Sequence, residues 1–172
     1  RPEEIDPMFT GKPEELVEQV IHSGCSILAY TYSEPTIFYE YMLDCAKLAK
    51  QKGVRNIMHS NGYINEEPLR RLAKFLDAAN IDLKGCSEEY YASLAQGSLE
   101  PVLRSLKILK EEGVHVEITN LLVPGYNDDA ESVGKLCAGI KENLGPDVPL
   151  HFSRFFPMYR LLNLQPTPVE SV

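Results

Sequence analysis

The apolar positions of this chain keep two rhythms that take turns. Over 36–52, 66–76, 99–112 and 128–143 they recur at the spacing of one helix face. Over 26–31, 55–60, 79–84, 114–123 and 150–155 they gather into short runs or alternate one by one, as in strands. Shorter helical patterns cover 13–23 and 87–94, and 1–11 reads as polar and irregular. The boundaries carry their own signals. Pro13 and Pro68 suit a first helical turn, Glu14 and Glu15 sit at the positive end of a helix dipole, and Ser87 caps a turn followed by Glu88 and Glu89. Gly24, Gly53, Gly113 and Gly145 close helices, while Asn61-Gly62 and Pro124-Gly125 mark turns after strands. Helix and strand alternate with short connections, with no low-complexity segment or linker. This predicts right-handed βα units in a single α/β domain over 1–172, with about five parallel strands.

The strands carry a second signal. A parallel strand covered on both faces reads as a nearly continuous apolar run, and these do not. Side chains two apart share a face, so Asn80, Asp82 and Lys84 point together, opposite Ile81 and Leu83. Glu117 and Thr119 oppose Val116 and Ile118, and His151 pairs with Ser153. Burying such groups in a dry core is costly unless they are partnered. An open, curved sheet with helices on its outer face removes the conflict: a partial, TIM-like (β/α) barrel whose polar concave side holds a ligand. A mutual salt-bridge network with no ligand is the other reading of the same residues.

One connection stands out, Tyr30-Thr31-Tyr32-Ser33-Glu34-Pro35-Thr36-Ile37. It leads from a strand into a helix, and Pro35 is suited to the helix's first turn. Glu34 therefore lies at the carboxyl edge of the sheet, where α/β folds place their chemistry. Helix capping by Ser33 or Glu34 is the structural alternative. Glu34 suits an ammonium. Lys84 suits a carboxylate or phosphate, and Asp82 suits hydroxyls or an ammonium. His151 donates or accepts near neutral pH, and Ser60 and Asn61 close their strand with polar groups. The joint set matches a ligand with an α-amino group, an α-carboxylate and a ribose.

Composition narrows the partners. Among 172 residues, 44% are hydrophobic and 24% charged, and the net charge is −8, which argues against a nucleic-acid backbone. No apolar run approaches a transmembrane span and no signal peptide is visible, so no membrane partner is expected. Cys25, Cys45, Cys86 and Cys137 are scattered without a CxxC pair. That spacing disfavours a disulfide framework, a zinc ribbon or a local iron–sulfur loop, and fits a cytoplasmic, reducing compartment. Cys25 and Cys45 are expected in helix–sheet packing. A start at Arg1 and a proline-rich end at Val172 read as a piece of something longer.

The strings Tyr32-Ser33-Glu34-Pro35, Ser60-Asn61-Gly62, Asp82-Leu83-Lys84, Leu122 to Asp128 and His151-Phe152-Ser153-Arg154-Phe155-Phe156-Pro157 stand in an order that resembles the radical S-adenosylmethionine (radical SAM) enzymes. They are most similar to the pyruvate formate-lyase-activating-enzyme-like branch and, within it, to the AmmeMemoRadiSam-system group. The resemblance runs from about Asp6 onward. It implies that Ser33 and Glu34, in the place of a Gly-Gly-Glu-Pro motif, lie at the methionine amino group of S-adenosylmethionine. It implies that Lys84 and Asp82 contact the methionine and ribose end. Ser60, Asn61 and His151 would help with ribose or carboxylate, and Val123 would pack near adenine. It further implies a reduced 4Fe-4S iron–sulfur cluster that opens S-adenosylmethionine to methionine and a 5′-deoxyadenosyl radical, and an electron donor such as flavodoxin or ferredoxin. The substrate would be a glycyl-radical-type protein or a small molecule.

Two departures qualify the match. The motif glycines are Tyr32 and Ser33 here, and the CxxxCxxC cluster loop with its strand is missing; by family order it belongs just before Arg1. The chain is therefore expected to be a truncated radical SAM core, inactive in radical chemistry as it stands. Two rival classes remain at this point: a Schiff-base aldolase-type barrel with Lys84 as nucleophile, and a non-catalytic nucleotide- or protein-binding domain.

Overall fold

The computed structural model describes residues 11–172, so the expectation for the opening stretch lies almost wholly outside the described residues. Helix α1 (Pro13–His22) leads to strand β1 (Ile27–Tyr30). A 3-10 turn over Pro35–Phe38 then runs into α2 (Tyr39–Gln51). The alternation continues through β2 (Arg55–Ser60), α3 (Glu66–Ala73), β3 (Ala78–Asp82) and α4 (Glu88–Tyr90), which continues as a π turn over Tyr91–Ala95. Helix α5 (Glu100–Glu111), β4 (His115–Leu122), α6 (Ala130–Leu144) and β5 (Leu150–Arg154) complete it. The five strands lie in the order β1-β2-β3-β4-β5, every neighbouring pair parallel. Each short crossover returns the chain to the same edge, which is what places all strand ends, and the loops after them, on one side.

The two faces of the sheet differ as the alternation requires. Met58, Ala79, Ile81, Val116 and Ile118 are buried towards the helices, where they meet Met42, Leu43, Leu69, Leu72, Leu106 and Leu109 in one core. His59, Asn80, Asp82, His115, Glu117 and Thr119, on the opposite parity, stay half-buried or exposed. The pattern breaks at Asn56 and Asn120, two fully buried amides on the apolar side. Both are used to bond backbone carbonyls from other elements, Asn56 to Ala46 and Phe75 and Asn120 to Leu83. Among the described residues no helix is long and apolar enough to cross a membrane.

Several boundaries move from the sequence reading. β3 runs 78–82 rather than 79–84, because the Lys84 amide leaves the ladder and donates to the Tyr91 hydroxyl at 3.1 Å. The helix read over 36–52 opens as a 3-10 turn, because Glu34 accepts from the Thr36 amide and tightens the entry. α6 starts one residue after Asp129, whose carboxylate caps it by accepting from the Ser132 amide at 2.9 Å. Cys45 is buried in α2 as expected, but Cys25 is exposed in the turn between α1 and β1 and so lies outside the helix–sheet packing.

Candidate active site

The end of β1 and the end of β2 are stitched together by one carboxylate. Glu34 Oε1 accepts from the Thr36 amide (3.2 Å), the Thr36 hydroxyl (3.0 Å) and the Ser60 hydroxyl (2.7 Å). Its Oε2 accepts from the Asn61 amide at 2.9 Å. Capping and site-building are thus one act: the same side chain that ends the loop after β1 holds the first residue after β2. Ser60 is 2% exposed and lies beneath Glu34 on the helix side of the sheet. It supports the carboxylate from the wall of the adjoining hollow. The motif position occupied by Tyr32 has φ of 23°, in the region that favours glycine, and its ring is turned outward to solvent.

Across a cavity of about 300 Å³, lined by Tyr32, Ser33, Glu34, His59, Asn61 and Asp82 among others, the end of β3 supplies the second carboxylate. Asp82 Oδ1 pairs with His59 Nε2 at 3.1 Å and Oδ2 with Lys84 Nζ at 2.8 Å. A second cavity of about 210 Å³ takes Asn61, Asp82 and Lys84 into its wall with Tyr63, Tyr91 and Gln96. Asn61 and Asp82 therefore form the partition between two adjoining hollows. Burial pushes the Tyr91 phenol up to about 12, so its hydroxyl keeps its proton while accepting from Lys84.

The structure brings Ser33, Glu34, Ser60, Asn61, Asp82 and Lys84 to this place and sets two expected members apart. His151 lies opposite Thr119 on β5, and its Nε2 bonds Glu117 Oε2 at 2.7 Å. It lines neither of the two cavities, and its partner is the glutamate of the neighbouring strand. Val123 is buried just past β4, its amide donating to Asn127 Oδ1 at 2.6 Å. His59 was missed by the sequence reading, although the parity argument used for β3 also places it on the concave face of β2.

Glu117 bridges two histidines, and the hydrogen bonds from His151 and then His115 hold its carboxyl below the ordinary carboxylate value. A carboxyl depressed on folding contributes stability that is present above its unfolded value and lost as pH falls through the folded one. Wild type is therefore expected to melt above Glu117→Gln at pH 7 and to lose that advantage in acid below about pH 4. The group is open to solvent, so the difference shrinks in high salt. Melting curves at two salt concentrations check this; a pH-independent difference would contradict it.

Two carboxylates, Glu34 and Asp82, line the 300 Å³ hollow, and the Lys84 ammonium paired to Asp82 lines the adjoining one, a charge set that fits a zwitterionic amino acid carrying hydroxyls. The cysteines do not fit an iron–sulfur cluster. Cys45 is buried in α2, Cys86 follows β3, Cys137 is exposed on α6, and Cys25 lies in the turn after α1. Among the described residues no three of His, Cys, Asp or Glu gather to hold a metal ion.

Residues 3–137 match the sequence profile of the radical SAM superfamily. The chain belongs to that superfamily. Among its relatives, an uncharacterized protein of Methanocaldococcus jannaschii is 44% identical over 99% of this radical SAM chain and 50% of its own length. The pyruvate formate-lyase 1-activating enzyme of Escherichia coli K12 is 26% identical over 72% of this chain and 53% of its own. The chain thus spans about half the length of the curated relatives it matches. The crystal structure of a domain of pyruvate-formate lyase-activating enzyme from Bacteroides vulgatus superposes with a TM-score of 0.68. That match covers 84% of this chain and 86% of that one at 17% identity, a likeness of fold: an open parallel sheet backed by helices.

Proposed function

We propose that this chain forms the S-adenosylmethionine-binding part of a radical SAM enzyme of the glycyl-radical-activating kind, in which S-adenosylmethionine is cleaved reductively. The observation that carries the reading is the convergence of Glu34, Asn61, Asp82 and Lys84 at the carboxyl ends of three neighbouring parallel strands, in a chain of this superfamily. Lys84 takes the methionine carboxylate. Glu34, with Ser33 beside it, faces the methionine ammonium, and Asp82 with His59 faces the ribose hydroxyls. Ser60 and Asn61 hold Glu34 in place. The related activating enzyme supports a protein as the substrate, one on which a glycyl radical is formed; the electron would come from a small redox protein such as a flavodoxin or ferredoxin. Lys84 is ion-paired and 40% exposed, so it lacks the apolar enclosure that activates a Schiff-base lysine.

Assembly and point substitution test the reading. The chain is joined to a segment bearing a CxxxCxxC loop, reconstituted anaerobically with iron and sulfide, and given dithionite and S-adenosylmethionine. Release of 5′-deoxyadenosine is expected. Lys84→Ala is expected to weaken S-adenosylmethionine binding by roughly tenfold or more, the loss of one charge-assisted contact, with the iron content unchanged. A protein that takes up the cluster and leaves S-adenosylmethionine intact would overturn the proposal.

A further inference from the structure

β3 ends at Asp82, yet the residue given the carboxylate-binding role, Lys84, lies two positions further on, in a loop. Its backbone is nevertheless fully partnered. The Leu83 amide makes the last bond to the sheet, donating to the Thr119 carbonyl at 3.0 Å. From there side chains take over. Asn120 Nδ2 donates to the Leu83 carbonyl at 2.6 Å, the Lys84 amide donates to the Tyr91 hydroxyl at 3.1 Å, and Asn127 Nδ2 donates to the Lys84 carbonyl at 3.0 Å. All three side chains are buried, at 1%, 4% and 7% exposure. The next residue is pinned as well. A Cβ on Gly85 would stand 2.5 Å from the Tyr90 ring, so that ring lies directly on the backbone.

We infer that Asn120, Asn127 and Tyr91 are positioning residues that clamp the Leu83–Lys84 backbone and hold the Lys84 ammonium on Asp82 before any ligand arrives. The inference rests on the proposed role of Lys84 and Asp82 and adds how a loop lysine meets it. A lysine on a free loop samples many rotamers and must be ordered by the ligand it binds. One on a fixed backbone, facing a fixed carboxylate, is already in place. Asn120 argues for this use. Its Oδ1 has no partner among the described residues, although it is buried. An apolar residue would pack there without leaving that acceptor bare, so the amide donor to Leu83 is the part of the side chain that the fold exploits. Asn127 belongs to the Pro124-Gly125-Tyr126-Asn127-Asp128 turn. It also accepts from the Val123 amide and donates to the Leu121 carbonyl at 3.0 Å, so the turn after β4 and the loop after β3 are locked to each other.

The test reads Lys84 directly and needs no cofactor. Lysines of the full chain are acetylated competitively, and the rate at Lys84 is measured by mass spectrometry against exposed Lys107. Tyr91→Phe removes only a hydroxyl and Asn120→Leu replaces an amide by a similar volume. Each is expected to raise the Lys84 rate at least threefold relative to Lys107 and to speed hydrogen exchange at the Lys84 amide tenfold or more. Asp82→Asn gives the rate of an unpaired Lys84 on an intact clamp. Unchanged Lys84 rates in both folded variants would overturn the inference. So would fast exchange of the Lys84 amide in the wild-type chain, a measurement that stands even where a variant does not fold. Failure of Lys84→Ala to weaken S-adenosylmethionine binding would strike the proposed function alone, since the acetylation rates do not depend on it.

Discussion

Asn56→Ala is expected to destabilise the chain by about 4 kcal/mol, which at this size lowers the melting temperature by roughly 8–16 °C. Asn56 is fully buried on the helix side of β2. Its Oδ1 accepts from the Tyr30 hydroxyl at 2.9 Å, and its Nδ2 donates to the carbonyls of Ala46 at 2.9 Å and Phe75 at 3.0 Å. One amide thus joins β1, α2 and the turn after α3. Truncation takes the partner from the buried Tyr30 hydroxyl and from the part-buried Phe75 carbonyl, removes a second bond from the Ala46 carbonyl within α2, and leaves a cavity, each lost bond costing about 1–3 kcal/mol less whatever relaxation recovers. Tyr30→Phe removes one of the three bonds and is expected to cost about 1 kcal/mol. Urea melts with an unchanged slope check both. A mild Asn56→Ala would mean that the network contributes little beyond packing.

Glu34→Ala is expected to act on stability and binding together. The carboxylate accepts four hydrogen bonds, two of them from the backbone amides of Thr36 and Asn61. Charge-assisted bonds of this kind contribute about 1.5–3 kcal/mol each when desolvated, and Glu34 is only half-buried, so a net loss of about 3 kcal/mol is expected. The loop after β1 would come away from Asn61, and the 300 Å³ hollow between Glu34 and Asp82 would lose one wall. S-adenosylmethionine affinity should then fall by more than tenfold. Titration calorimetry on the folded variant measures it. Glu34→Gln separates the two roles: it keeps the volume but offers an amide where the Ser60 hydroxyl or the Asn61 amide must donate. Affinity equal to wild type in either variant would remove Glu34 from the binding site and leave it as a cap.

How much was legible depends on the range of the interaction. The alternation of helical and strand rhythms, with Gly24, Gly53 and Gly113 at positive φ where helices turn back towards strands, is local information, and it led to the parallel order of all five strands. Period-two parity is also local. It correctly put Asn80, Asp82, Glu117 and Thr119 on the face away from the helices. The place of Glu34 at a strand end followed from the proline beside it.

Parity names a face, though, and leaves height and partner open, because these depend on how neighbouring strands are staggered. Only the register of β4 and β5 puts His151 over Glu117 and away from Lys84, and only the register of β2 and β3 brings His59 to Asp82. That the Ser60 hydroxyl donates to a carboxylate 26 residues earlier in the chain was likewise not legible, since a hydroxyl at a strand end shows nothing of its partner. Asn56 and Asn120 sit on the apolar parity for a reason no window of sequence contains: the carbonyls they bond belong to elements that only folding brings near. The residue types and their spacing determined the sheet, its polar concave face and the glutamate at its edge. Which polar groups meet was decided by the tertiary structure, because a hydrogen bond requires two atoms within about 3 Å and separation along the chain does not set that distance.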